Sequence, residues 1–171
     1  MFSINEFVIH PTGGICKVTD IAPLEINGAD KEKKYYFLAS LRNNGGRVYV
    51  PVASGDGVIR KVMSDSEAWE LIDEIPEIEE AVIDNEKLRE NCYKEAIKSC
   101  DCRELVKILK NLRSRKEQRL AQGKKNTATD EKYYKIAEDN LFSELAFAIG
   151  RDKCEIASVI TQRTVNHANE L

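Results

Sequence analysis

The chain has 171 residues, of which 42% are hydrophobic and 32% are charged, a composition typical of a folded and soluble protein. It contains no apolar run of about 18 residues that could span a bilayer, and residues 1–10 lack the basic and apolar pattern of a secretory signal. Its five cysteines are scattered and odd in number, which favours the reducing cytoplasm over a disulfide framework. Secreted, membrane-embedded and fibrous classes are therefore excluded.

The charge is unevenly distributed, although the formal net charge is only −3. Residues 62–85 carry nine acidic side chains and no Lys or Arg. Residues 86–125 carry 13 basic and 6 acidic side chains, a formal charge of +7. A local positive stretch in an acidic protein favours contact with a polyanion, and the alternative is a set of solvated helix faces balanced by nearby acids.

Short strands are predicted throughout residues 1–62. Residues 7–9 are apolar and β-branched, and a turn with two glycines follows them at residues 11–14. Further strands are predicted at residues 15–19, 35–39 and 47–52, with turns at Asn27-Gly28 and at residues 43–46. Four or five strands in so few residues predict a small, strongly bent sheet or barrel with an edge open to a partner strand.

Helices are predicted throughout residues 63–171. Residues 63–83 form an acidic connecting segment, with N-caps around Ser64 and a short helix at residues 77–82 after Pro76. Further helices are predicted from Asp84 to residue 99, at residues 101–122, from Thr127 or Thr129 to residue 149, and at residues 153–168. Asp101 and Asp152 are candidate N-caps, whereas Gly123 and Gly150 are candidate helix ends. The fold class is therefore α+β with the two kinds of element segregated.

Apolar and basic side chains lie on different faces of the predicted helices. Leu105, Leu109 and Leu112 share the core-facing spacing of the 101–122 helix, while cations follow the same spacing on another side. In the preceding helix the corresponding apolar side is Leu88, Cys92 and Ala96. Residues 141–149 are apolar on nearly every side, which predicts the central helix of a bundle.

No residue pattern indicates catalysis or a cofactor. The chain has neither a P-loop nor a dinucleotide fingerprint, and its histidines and cysteines lack the context of a catalytic triad. Cys100 and Cys102 with the distant His167 do not provide the four paired ligands of a structural zinc site. We therefore expect no catalytic residue, metal or cofactor, and we interpret Trp69 as interdomain packing.

The order of the segments resembles a known family of transcription regulators. Residues 8–15, Val-Ile-His-Pro-Thr-Gly-Gly-Ile, resemble the V-V-Y-P-x-H-G-hydrophobic start of the CarD family (CdnL-type), and residues 48–51, Val-Tyr-Val-Pro, resemble its proline-ended strand. The helix at residues 101–119 and the Ser-Glu-Leu-Ala run at residues 143–146 resemble its helical half. The resemblance covers nearly the whole chain.

The resemblance implies a fold and a function. Residues 1–62 would form a small Tudor/SH3-like β-barrel, shared with transcription-repair coupling factor, that binds the β subunit of RNA polymerase. Residues 63–171 would form a helical domain that contacts upstream promoter DNA without reading its sequence. Together they would stabilise the open promoter complex. A bacterial cytoplasmic monomer, associated with the nucleoid through polymerase, is the expected form.

The resemblance and the charge pattern give candidate binding residues. Arginines that contact polymerase in some family members correspond to Leu24 and Tyr49, Arg47 shares the strand face of Tyr49, and Pro51 ends that strand. Glu86 corresponds to a family Trp that wedges into DNA, and an acid there is expected to repel phosphate. The candidate DNA-binding residues are Arg89, Lys94, Arg103, Lys107, Lys110, Arg113, Lys116, Arg119, Lys124, Lys125 and Lys132.

Two alternatives stay open at this point. Because Glu86 replaces the wedge residue, the protein could bind polymerase without any DNA contact. Because small barrels and basic helices also suit RNA, it could instead be an RNA- or ribosome-associated protein.

Overall fold

The structure is a computed structural model that describes residues 1–24, 32–42 and 46–169, without the side chains of residues 55, 56 and 166–169. The predicted turn at Asn27-Gly28 and most of the predicted turn at residues 43–46 lie outside the described residues. The chain divides into two compact units, Met1–Val62 and Met63–Leu171. We call them the N-terminal unit and the helical unit.

The N-terminal unit contains an antiparallel sheet with the order β4-β3-β2-β1-β5. Its strands are β1 (Phe7–His10), β2 (Gly14–Pro23), β3 (Lys34–Ser40), β4 (Arg47–Pro51) and β5 (Arg60–Lys61). A 3-10 turn and the four-residue helix α1 (Gly55–Val58) connect β4 to β5. Within the described residues β4 and β5 are the outer strands and do not pair, so the sheet is open where a closed Tudor/SH3-like barrel was expected.

The turn between β1 and β2 is held by its own side chains. The Nδ1 atom of His10 accepts a hydrogen bond of 3.1 Å from the backbone N–H of Gly13. Gly14 has a φ of +64°, a conformation that a side chain would strain, and a Cβ there would meet the Arg42 guanidinium at 3.2 Å. Burial lowers the pKa of His10. These residues therefore have a structural role in the turn.

One face of the sheet is buried and the other is partly exposed. On β3, Tyr36 and Leu38 are buried while the neighbouring Phe37 is only half-buried, as the two-residue period of a strand requires. The buried core consists of Val8, Cys16, Val18, Tyr36, Leu38, Val50 and Ile59. Burial of each large apolar side chain contributes about 1.5–3 kcal/mol. The N-terminal unit thus has its own core and leaves one sheet face available.

The helical unit follows the sheet in sequence, which confirms the predicted α+β class. Its helices are α2 (Asp65–Glu74), α3 (Arg89–Lys98), α4 (Cys102–Ala121), α5 (Ala128–Ile149) and α6 (Ile156–Asn169). A 3-10 turn at Lys153–Glu155 precedes α6. The helix predicted at residues 77–82 is absent from the structure. No helix in the described ranges has the length and apolar character needed to cross a membrane.

Several helix ends were predicted correctly from local sequence. Ser64 and Glu67 form a reciprocal capping box at the start of α2. Asp101 accepts the N–H of Arg103 at 2.8 Å, and Thr127 accepts the N–H of Asp130 at 3.0 Å. Gly150 ends α5 in the left-handed conformation with a φ of 63°. The predicted start of α3 at Asp84 is wrong, because that helix begins five residues later without a side-chain cap.

Two apolar clusters hold the helices together. The larger one joins α2, α4, α5 and α6 and contains Ala68, Leu71, Ile72, Cys102, Leu105, Val106, Ala137, Leu141, Leu145, Ala146 and Ile156. The smaller one joins α3, α4 and α5 and contains Tyr93, Ala96, Ile108, Leu112 and Tyr133. The helix α5 contributes to both clusters. Its central position agrees with the apolar sequence at residues 141–149.

The inward face of α3 agrees with the prediction at Ala96 and differs from it at Leu88. Leu88 is 52% exposed, and Tyr93 is buried instead. Tyr93 packs its ring against Tyr133, with the ring centroids 5.5 Å apart, and its hydroxyl donates to Asp130. A tyrosine with a buried hydrogen-bond partner can thus replace an aliphatic side chain in the core.

Candidate functional site

The outer strand β4 presents a cation and an aromatic ring on one face. Arg47 and Tyr49 are exposed while Val50 between Tyr49 and Pro51 is buried, so the predicted shared face of Arg47 and Tyr49 is confirmed. The Tyr49 ring is 41% exposed and meets Phe37 edge-on, with a centroid distance of 5.0 Å. An outer strand of this kind can pair with a strand of a partner.

The other two candidate polymerase residues lie at one end of the same sheet. Pro51 ends β4 opposite Tyr35 of β3, and Leu24 directly follows β2, whose last residue, Pro23, pairs with Lys34. Both side chains are half-buried. The structure therefore groups Arg47 and Tyr49 on one strand face and places Leu24 and Pro51 at the sheet end.

The cations predicted to form a basic stripe on the first half of α4 bind acids and carbonyls of the protein itself. A guanidinium nitrogen of Arg103 lies 2.7 Å from a carboxylate oxygen of Glu74, and Lys107 lies 2.7 Å from Glu104. The Lys110 ammonium donates to the backbone carbonyl of Pro76 at 3.2 Å and also to that of Ile78. These three cations therefore stabilise the helical unit through internal ion pairs and hydrogen bonds.

Residues 75–83, which we call the acidic strap, lie along α4. The backbone N–H of Ala81 donates to the carbonyl of Lys107 at 3.1 Å, and the Asn111 amide donates to the Ala81 carbonyl at 2.8 Å. A shallow surface pocket beside the strap is lined by Glu77, Glu79, Glu80, Lys110 and Arg113, among others. Three acids of the strap thus lie beside cations that were predicted to bind DNA.

The second half of α4 and the following loop carry cations of a different kind. Arg113 is 76% exposed and, among the residues that the structure describes, forms an ion pair with Glu117 of its own helix. Further along, Arg119 donates to the Lys125 carbonyl. We call Lys116, Arg119, Lys124 and Lys125 the basic end of α4. None of these four side chains forms an ion pair with a residue that the structure describes.

Two further candidates flank one acid on α3. The Lys94 ammonium lies 3.1 Å from the Glu90 carboxylate, which also accepts a hydrogen bond of 2.9 Å from Tyr133. The Lys132 ammonium lies 5.2 Å from the centre of the Tyr133 ring. Glu90 has a lowered pKa, first because Tyr133 and Lys94 donate hydrogen bonds to it. Lys94 and Lys132 therefore surround a carboxylate that remains ionised.

Glu86 is not the bare negative charge that the sequence suggested. The Arg115 guanidinium binds both carboxylate oxygens, at 2.8 and 2.9 Å. Arg89 also donates to the carboxylate, from Nε at 3.1 Å and from a terminal nitrogen at 2.9 Å. Hydrogen bonds from Arg89 and Arg115 lower the pKa of Glu86 against the opposing effect of burial. The carboxylate is thus compensated within the protein.

A buried acid binds one of these two arginines, Arg115, on its inner side. Asp130 accepts hydrogen bonds from the Arg115 Nε–H at 2.9 Å and from the Tyr93 hydroxyl at 3.0 Å. Burial opposes its ionisation, but hydrogen bonds from Thr127, Arg115 and Tyr93 outweigh that effect and lower its pKa. Sequence reasoning missed Asp130 and Arg115 as a pair. The one available signal was the capping spacing of Thr127 and Asp130.

A second buried acid has a structural role near the start of the helical unit. Glu144 accepts the backbone N–H of Met63 at 3.1 Å and lies 3.2 Å from the Cys102 thiol. None of the five cysteines forms a disulfide bond. Trp69 packs against the larger cluster of the same unit, with the Arg163 guanidinium 5.4 Å from its ring centre. Among the described residues, no three His, Cys, Asp or Glu side chains are placed to hold a metal ion.

Comparison with known families identifies the N-terminal unit. Residues 2–63 match the family model described as CarD-like/TRCF RID domain, where RID denotes the RNA-polymerase-interacting domain. No curated protein matches the chain. The matched family is an interaction domain of transcription factors rather than an enzyme class. The N-terminal unit is therefore a CarD-like RNA-polymerase-interacting domain, and the chain has a role related to transcription.

Proposed function

We propose that this protein is a transcription regulator that binds RNA polymerase and promoter DNA at the same time. The N-terminal unit contacts the β subunit of polymerase, and the helical unit contacts backbone phosphates of upstream promoter DNA. The open promoter complex offers both sites together and is stabilised as a result. The observation that carries the proposal is the CarD-like domain match over residues 2–63.

The open edge of the sheet supports the polymerase contact. The outer strand β4 has Arg47 and Tyr49 exposed on one face. Tyr and Arg are the side chains most enriched among the residues that dominate binding energy in protein interfaces. Pairing along β4 would add main-chain hydrogen bonds to those side-chain contacts.

The basic end of α4 supports the DNA contact. Lys124 and Lys125 lie in the loop that precedes α5, and Arg119 donates to the Lys125 carbonyl. Lys116 lines a surface pocket with Asn126. The helix dipole favours an anion at this end of α5. Contacts of this kind supply affinity and position on the duplex but no sequence readout. Two modest contacts in one chain then reinforce each other, because binding of the first raises the local concentration of the second.

An alternative function is favoured by the internal pairing of the cations. Arg89, Lys94, Arg103, Lys107 and Arg113 all lie against acids of the helical unit. A protein with its cations compensated in this way could bind polymerase, RNA or the ribosome without any contact to promoter DNA. Co-sedimentation of the protein with ribosomes rather than with polymerase would favour this alternative.

Promoter opening in the presence of charge-reversal variants tests the proposal. Lys116→Glu, Lys124→Glu and Lys125→Glu change exposed cations whose side chains form no described ion pair, so the helical unit should keep its fold. We expect the triple variant to bind polymerase normally and to lose its effect on the lifetime of the open complex. An unchanged lifetime would contradict the DNA contact.

A bacterial cytoplasmic monomer is the form in which we expect the protein to act.

A further inference from the structure

Two guanidinium groups converge on one carboxylate in the turn before α3. Arg115 binds both oxygens of Glu86, and Arg89 binds one of them through two nitrogens, which gives four hydrogen bonds of 2.8–3.1 Å. The planar guanidinium fork fits a carboxylate and a phosphate equally well. The two guanidinium groups that bind Glu86 therefore have the geometry to bind a phosphate as well.

Both arginines are positioned by groups other than Glu86. The Arg115 Nε–H donates to the buried Asp130, and the Arg115 side chain is only 20% exposed. Arg89 donates to Asn111 at 3.0 Å and to the Ile83 carbonyl at 3.3 Å, and its side chain is only 11% exposed. The two guanidinium groups would accordingly keep their places if Glu86 moved away.

Glu86 is the exposed and replaceable member of the group. Its side chain is 62% exposed and belongs to the turn between the acidic strap and α3. Ion pairs with an exposed partner contribute little to stability, because water screens them. Asp130 compensates one guanidinium and Glu86 compensates the other, so a singly charged phosphodiester could replace Glu86 without changing the local charge.

The start of α3 adds a second source of positive potential at this turn. Its N-cap residue, Leu88, provides no side-chain hydrogen bond to the first backbone N–H groups of the helix. The helix dipole favours an anion at this end of α3. The nearby Glu90 is turned toward Lys94 and Tyr133 on another side of α3.

We propose that Arg89 and Arg115 form a phosphate-binding site that Glu86 occupies in the free protein. A backbone phosphate of DNA displaces the Glu86 carboxylate, so Glu86 acts as a built-in competitor that weakens DNA binding. This inference rests on the proposed DNA contact of the helical unit and specifies one site within it. Glu86 would thus weaken DNA binding, whereas the wedge Trp at the corresponding family position contacts DNA.

Duplex DNA binding by two matched full-length variants tests the competition. Glu86→Gln removes the competing charge, whereas Glu95→Gln removes an equal charge at an exposed position of α3. We expect Glu86→Gln to raise the affinity about fivefold and to steepen the dependence of log affinity on log salt by about 0.9, the value of one additional phosphate contact. The control should gain less than about twofold. Equal gains would overturn the proposal, because they would reflect net charge alone.

Titration with inorganic phosphate tests the proposed phosphate site independently of the proposed DNA contact. We expect saturable shifts of the Arg89 and Arg115 Nε–H signals in NMR spectra, at lower phosphate concentration in Glu86→Gln than in the wild type. Phosphate binding with no DNA binding would support the site and contradict the proposed promoter contact. The absence of both phosphate shifts and a specific DNA gain would overturn the inference.

Discussion

The Arg115 Nε–H donates a hydrogen bond of 2.9 Å to the carboxylate of Asp130, which is almost fully buried between α4 and α5. The terminal nitrogens of the same guanidinium bind the exposed Glu86. One side chain thus connects the interior of the smaller apolar cluster to the surface turn before α3. The stability of this half of the helical unit and its binding surface depend on the same residue.

We predict that Arg115→Gln destabilises the helical unit by about 3 kcal/mol, because it leaves the Asp130 charge buried without its partner. Urea unfolding followed by the fluorescence of Trp69, the only tryptophan, measures this unit. Arg113→Gln is the matched control, since Arg113 is exposed and forms an ion pair with the exposed Glu117. The control should change the free energy of unfolding by less than about 0.5 kcal/mol. Equal effects of the two substitutions would contradict the account.

The low pKa of Asp130 predicts a specific pH dependence. Its folded-state pKa lies below the ordinary value of 3.8 because hydrogen bonds outweigh burial. The resulting stabilisation is fully present above that value and is lost as the pH falls through the lowered pKa. The difference in unfolding free energy between wild type and Asp130→Asn should therefore be constant near neutral pH and shrink below about pH 3.8. A difference that grows in acid would show that Asp130 is not stabilised in its ionised form.

Neutralising the acidic strap should increase nonspecific DNA binding. Replacing Glu77, Glu79 and Glu80 by Gln removes three negative charges beside Lys110 and Arg113. We expect a gain in affinity of about threefold at low salt, and a much smaller gain at high salt because of screening. Glu70→Gln, an exposed acid on α2, is compared with Glu79→Gln as a single-charge control. No gain at low salt would mean that the acidic strap does not screen the cations of α4.

The cysteines should differ strongly in reactivity. Burial raises the pKa of the Cys16 thiol to about 11, against smaller opposing effects of Arg42 and Ser40. Cys154 is exposed. Since the thiolate is the reactive form, alkylation near pH 8 should modify Cys154 at least about 100-fold faster than Cys16. Mass spectrometry of the labelled peptides gives both rates. Comparable rates in the folded protein would show that Cys16 is accessible.

Features set by neighbouring residues were predictable from the sequence. The caps at Ser64 and Thr127 depend on side chains within three residues, and Gly150 ends α5 because glycine readily adopts a positive φ. The shared face of Arg47 and Tyr49 on β4 depends on strand geometry alone. The order of a sheet followed by helices was also predicted correctly, because the patterns of strands and helices depend on residues that are close in sequence. The predicted helix at residues 77–82 failed because this stretch instead bonds to α4.

Contacts between distant residues were not predictable in the same way. The pairing of Arg115 with Glu86 joins residues 29 positions apart, and Tyr93 meets Asp130 across 37 positions. Such pairs depend on how α3, α4 and α5 pack, which spacing along one helix does not determine. A count of cations therefore predicted a DNA-binding stripe on α4 without showing that acids and backbone carbonyls of the same unit already bind the cations of its first half.

Equilibrium binding of the full-length chain to the isolated β-subunit lobe of RNA polymerase is the most direct test of the central claim. We predict that the wild type binds and that Arg47→Glu with Tyr49→Ala weakens binding at least about tenfold, as expected for exposed Tyr and Arg at an interface. Lys124→Glu with Lys125→Glu, in the helical unit, should bind as the wild type does. Absence of wild-type binding, or binding lost only in the helical-unit variant, would contradict the assignment of polymerase contact to the N-terminal unit.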